Sequence, residues 1–132
     1  MTLMANVLGK REVVLDQFFT PPELASKCVQ QLKQLVDLNT FDQILEPSAG
    51  SGRFLDYLPP HTVGIDIDPR DSRVKCQDFF SWSCPLSTKL LVVGNPPFGQ
   101  RGALATRFID HAMIFADTVA FIMPRSFNKF TL

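Results

Sequence analysis

The chain carries no excess charge of either sign. Thirteen basic and thirteen acidic side chains give a formal net charge of zero over 132 residues. No global field therefore draws it to a polyanion, and any grip on nucleic acid must come from a local patch or from a part not in this sequence. Its three cysteines, Cys28, Cys76 and Cys84, are odd in number and lack C-x-x-C spacing. That supports neither a disulfide framework nor a zinc site, and free thiols in a reducing compartment follow. No apolar run approaches the length of a membrane span, and residues 1–11 lack a signal-peptide core, so a cytoplasmic location is expected. Tyr and Trp are scarce, one of each, against twelve Phe. Several of those Phe fall in loops rather than in periodic elements. No repeat or low-complexity linker interrupts the chain. At 45% hydrophobic and 20% charged residues it reads as one globular domain over 1–132.

Residues 1–15 are indistinct, an arm carrying Val13, Val14 and Leu15. The first firm element is a helix over 22–38. Thr20 is a suitable N-cap, Glu23 completes a capping box, and proline occupies the first turn. Leu24, Cys28, Leu32, Leu35 and Val36 recur at helical spacing and predict a buried stripe. Short apolar strands follow at 43–46, 62–67, 74–76, 89–93 and 118–123, with a short helix at 53–58 stopped by Pro59-Pro60 and a longer one at 103–116. Near-continuously apolar strands alternating with helices predict an α/β fold: a parallel sheet covered on both faces. The link 69–73 is too short for a crossover helix.

In such sheets ligands sit at the carboxyl ends of the strands, and four strand ends here carry unusual residues. The first is Glu46-Pro47-Ser48-Ala49-Gly50-Ser51-Gly52, whose glycines let the backbone turn sharply beside a ligand. It is not a dinucleotide fingerprint, because Leu55 stands where a third glycine is needed, and no P-loop Lys follows. The second, Gly64-Ile65-Asp66-Ile67-Asp68, offers Asp66 for the two hydroxyls of a ribose and Ile67 for an adenine face; Asp68-Pro69 is turn chemistry. The third, Asp78-Phe79, pairs an acceptor for an adenine amino group with a covering ring, or equally an exposed turn Asp with a core Phe. The fourth is Asn95-Pro96-Pro97-Phe98. Its prolines fix φ and extend the residues before them, holding oxygen acceptors beside a flat ring. Such a terminus suits a planar group with an exocyclic NH2, although Asn-Pro and Pro-Pro also mark ordinary loops. Four coordinated strand ends outweigh the ordinary-loop explanation of any one.

Together these motifs resemble the class I S-adenosylmethionine-dependent methyltransferases, in the amino-methylating branch typified by N6-adenine DNA methyltransferases. Glu46–Gly52 resembles that family's cofactor loop, Asp66 its ribose-binding acid and Asp78-Phe79 its adenine-contacting pair. Asn95-Pro96-Pro97-Phe98 resembles its catalytic motif, and Phe18-Phe19-Thr20-Pro21-Pro22 the segment bordering the methionine moiety. The resemblance implies S-adenosylmethionine as cofactor, with Thr20, Pro21, Glu46, Pro47, Ser48, Ala49, Gly50, Gly52, Asp66, Ile67, Asp78 and Phe79 around it. It also implies a base stacked on Phe98, its amino group donating to Asn95 and to the Pro96 carbonyl. No metal is required, and His61 and His111 stand outside the motifs.

The resemblance further implies a Rossmann-like sheet of seven strands, of which this chain would lack the last two and any target-recognition domain. The strand at 119–123 would then lie bare at a sheet edge, open to pairing with a second copy. DNA is the favoured substrate. RNA bases, protein glutamine and a non-catalytic binding subunit are the alternatives. Arg101, Arg107 and Arg125 are the basic residues expected near the active face.

Overall fold

A computed structural model describes the backbone of residues 2–7 and 12–16 and the whole of 23–97 and 99–123. The expected Thr20 cap and the segment around Pro21, together with Phe98 and Arg125, lie outside the described residues. Seven strands form one sheet: β1 (Thr2–Val7), β2 (Glu12–Asp16), β3 (Gln43–Glu46), β4 (Val63–Asp66), β5 (Val74–Cys76), β6 (Leu90–Gly94) and β7 (Thr118–Met123). Their order across the sheet is β2-β1-β7-β6-β3-β4-β5. β3 to β7 run parallel to one another, and β1 runs antiparallel to both β2 and β7. Among the described residues no helix is long and apolar enough to cross a membrane.

Two helices cover opposite faces, and the alternation of the strands decides which face each side chain meets. α1 (Glu23–Leu35) buries Leu24, Ala25, Cys28, Val29 and Leu32. These pack with Ile44, Leu91, Val93, Ala120 and Ile122. The intervening residues Leu45, Leu90, Val92, Val119 and Phe121 point the other way, to Ala105, Phe108 and Ala112 of α2 (Ala103–Phe115). Sheets sandwiched in this way read as continuous apolar runs because both faces are dry. Leu35 and Val36, expected on the α1 stripe, are only partly buried, since the helix ends at Leu35 and Asp37 turns the chain into a 3-10 turn over Leu38–Thr40.

Three expectations change. The sheet is not short of two strands. The N-terminal arm folds into β1 and β2, and β1 pairs with β7 along its whole length, from Thr2 opposite Met123 to Val7 opposite Thr118. β7, expected at a bare edge open to a second copy, is therefore an interior strand, and that edge is covered by β1. The physical reason is generic: an edge backbone has unpaired N–H and C=O groups, and any nearby extended segment can satisfy them. The segment 53–58 is also not a regular helix. Asp56 N–H donates to the Gly52 carbonyl (3.2 Å) and Leu58 N–H to that of Phe54 (3.1 Å). That is a single open turn, halted before Pro59-Pro60 can extend it. The link from β4 to β5 holds no helix, as its length indicated.

Candidate functional site

The sheet order reverses between β3 and β6. From β3 the chain moves outward through β4 and β5, and from β6 outward through β7. The carboxyl ends of β3 and β6 are the place where such sheets leave a crevice. A cleft of about 610 Å3 opens there. It is bordered by Pro47 and Ser48 after β3, Asp66 and Ile67 at the end of β4, Asp78 and Phe79 after β5, and Asn95 and Pro97 after β6. All four unusual strand ends thus meet around one space.

The loop after β3 is held from below and from the side. Ala49 N–H donates to the Ile65 carbonyl at 2.9 Å. Gly50 and Gly52 adopt φ of +52° and +79°, left-handed conformations that a side chain disfavours. Gly50 N–H donates to Asp66 Oδ2 at 2.9 Å, while Asp66 Oδ1 accepts from Asp68 N–H at 2.8 Å. Two backbone donors thus occupy about half of the acceptor capacity of Asp66, leaving the remainder for a ligand. Beside the loop, Arg73 reaches Asp71 and Asp56 (2.9 Å each) and the Gly52 carbonyl at 3.3 Å. Its hydrogen bonds hold the Asp71 carboxyl down at about 2.

Asp78 and Phe79 divide their work. Asp78 is exposed on the cleft and caps a 3-10 turn over Phe79–Ser81, where Oδ1 accepts from Phe80 N–H at 3.0 Å. Phe79 is only 2% exposed. Its ring stacks on Phe108 (centroids 5.2 Å apart) and meets the edge of His111 at 4.7 Å. Asp78 is thus the turn acid, and Phe79 forms more of the cleft floor than a free cover. Ile67, in contrast, is 74% exposed beside the cleft.

Ser48 joins the two halves of the site: its hydroxyl donates to the Asn95 backbone carbonyl at 3.1 Å. Asn95 is half-buried on the cleft wall. Pro96 is buried and Pro97 exposed at the mouth. The chain then passes through Gly99 (φ +69°), Arg101 (φ +53°) and Gly102 (φ +75°) into α2. For an arginine that backbone costs about 1 kcal/mol. From α2 the side chains of Leu104, Arg107 and Phe108 close the far side, and the Arg107 guanidinium lies 4.4 Å over the Phe80 ring.

Beneath the cleft, Glu46 ends β3 at 2% exposure. Its Oε1 has no hydrogen-bond partner among the described residues. Burial, reinforced by the charge of Asp66 and opposed by that of Arg73, pushes its carboxyl well above the usual carboxylate range. Gly94 on β6 makes room for it, because a Cβ there would lie 3.0 Å from Glu46 Cγ.

Sequence reasoning did not single out Phe80, Leu104 or Phe108 as cleft residues. The signal was available for two of them, since Leu104, Arg107 and Phe108 recur at i, i+3 and i+4 and share one face of α2. His111 Nε2 lies 3.2 Å from the Trp82 carbonyl within the aromatic cluster, a satisfied histidine rather than a cleft group. All three cysteines are free thiols. No protein-family profile matches the chain, and no curated protein is detectably similar to it in sequence.

Proposed function

We propose that the chain is an S-adenosylmethionine-dependent N-methyltransferase acting on an exocyclic amino group, with adenine N6 in DNA as its substrate. The observation that carries the proposal is the Ser48–Asn95 hydrogen bond, which ties the cofactor-type loop to the amino-acceptor motif across a single cleft.

The residues present fit the cofactor's chemistry. Asp66 keeps acceptor capacity for ribose hydroxyls, Ile67 presents an exposed aliphatic face for adenine, and Asp78 keeps one carboxylate oxygen for its amino group. Glu46 Oε1, without a partner among the described residues, suits an ammonium, as a buried polar atom without a partner is otherwise destabilising. When bound, S-adenosylmethionine supplies an electrophilic methyl group on a sulfonium centre.

The chain's part is to position the acceptor. The Asn95 side chain and the Pro96 carbonyl take the two N–H bonds of the substrate amino group, with Phe98 as the stacking ring. Accepting both hydrogen bonds localises the nitrogen lone pair and aims it. It also stabilises the positive charge that develops on nitrogen. His111 lies against the Trp82 carbonyl, and neither it nor His61 is among the residues bordering the cleft. The reaction belongs to a reducing cytoplasm, where the free thiols persist.

The test is Asn95→Ala. Methyl transfer to an adenine-containing oligonucleotide should vanish while calorimetry still records S-adenosylmethionine binding. Unchanged turnover sinks the assignment. RNA and a glutamine-bearing peptide serve as competing acceptors, and cofactor binding without transfer to any of them points to a non-catalytic subunit.

A further inference from the structure

We propose that Arg101 and Arg107 form an anion-binding ledge beside Asn95 and Pro97, holding a backbone phosphate of the nucleic acid that presents the target amino group. The inference rests on the methyltransferase reading above and assigns two residues to the phosphodiester chain of its substrate.

Three observations carry it. First, Arg107 is the only basic side chain bordering the cleft among the described residues, whereas Asp66, Asp68 and Asp78 gather along the strand ends of β4 and β5. The cleft therefore has an acidic side suited to a cationic cofactor and one cationic point on α2. Second, Arg107 is oriented but unspent. Its guanidinium is stacked at 4.4 Å over Phe80, while the ion pairs among the described residues use Arg70 and Arg73 instead. Stacking fixes the plane of the guanidinium and leaves its edge N–H donors free for a planar or tetrahedral oxyanion. Third, Arg101 is exposed and held at φ +53° between Gly99 and Gly102, both also at positive φ. Glycine would adopt that backbone without the Cβ clash, so the fold gives no reason for an arginine there. Arg101 stands two residues before α2, the helix that carries Arg107, on the chain that runs on from Asn95 and Pro97.

A glutamine-bearing peptide carries no backbone anion and would leave both guanidinium groups unused. A phosphodiester chain carries one charge per nucleotide, and a chain of zero net charge needs such a local patch to hold it.

The experiment measures anisotropy of a labelled, adenine-containing single-stranded oligonucleotide with the 132-residue chain across a salt series, for wild type, Arg101→Gly and Arg107→Gln. Calorimetry with S-adenosylmethionine runs in parallel. Each variant should bind the oligonucleotide about tenfold more weakly at low salt and flatten the log–log salt slope by about 0.7. Cofactor affinity should be unchanged, and the melting temperature of Arg101→Gly should not fall, which separates lost binding from lost fold. Wild-type slopes and affinities in both variants overturn the ledge while leaving the methyltransferase reading intact. Loss of cofactor affinity in Arg107→Gln overturns the ledge as well, by assigning that guanidinium to the cofactor, and a wild type that binds no oligonucleotide overturns both the ledge and DNA as the substrate. A wild type that binds the oligonucleotide with the expected salt slope but no S-adenosylmethionine refutes the methyltransferase reading and supports the ledge.

Discussion

Glu46→Gln tests whether the buried carboxyl under the cleft is neutral in the unliganded fold. The substitution preserves shape at the end of β3 and removes only the ability to titrate. Burial and the neighbouring Asp66 and Asp56 raise the carboxyl, and Arg73 opposes them. A folded pKa above the unfolded value, about 4.3 for a glutamic acid, means that the fold prefers the neutral form. Its contribution to stability is therefore complete below that unfolded value and is lost as pH rises through the window up to the folded value. One proton is involved, so the loss runs at about 1.4 kcal/mol per pH unit within the window. Gln does not share it. Urea unfolding of both proteins at successive pH values upward from about 5, compared as a difference, should show Gln gaining on wild type at that slope. Parallel stability curves would refute the reasoning, because they would mean that Glu46 titrates as it does in the unfolded chain.

Gly94→Ala should destabilise the fold by about 1–3 kcal/mol through overpacking, since its Cβ would stand 3.0 Å from Glu46 Cγ and 3.4 Å from Oε2. An unchanged urea midpoint counts against the packing described. Asp66→Ala removes the acceptor for the Gly50 and Asp68 amides, about 1 kcal/mol for each hydrogen bond. It should speed hydrogen exchange at Gly50 and weaken cofactor binding together; slow exchange in the variant would show that the loop is held by other means. Among the thiols, exposed Cys76 should react first with a disulfide reagent and buried Cys28 last, its thiol pushed up to about 11 by burial. Equal rates at mildly alkaline pH would contradict that burial.

Much of the fold was legible because burial on both faces leaves a plain signature. Gln43–Glu46, Val74–Cys76 and Thr118–Met123 are strands with the bounds their apolar runs indicated, and α2 starts at Ala103 as its spacing does. The strand ends were legible for a different reason. Gly at positive φ and paired prolines after an Asn are residue types that ordinary turns need less often in combination. What escaped was whatever depends on partners distant in sequence. The order of strands is one case, the closure of the cleft by α2 another, and the burial of Phe79 under Phe108 and His111 a third.

The sequence by itself determined the α/β class, the parallel run of strands and the set of polar residues at their carboxyl ends, because periodicity, proline and glycine act locally. Only the tertiary structure decided that the N-terminal arm closes the edge of β7, since backbone pairing is indifferent to side-chain identity and leaves little trace in composition. It alone decided that Glu46 is buried with Oε1 unpartnered among the described residues, and that Arg107 rests on Phe80. Burial and stacking arise from what the fold brings near, and no local pattern encodes that.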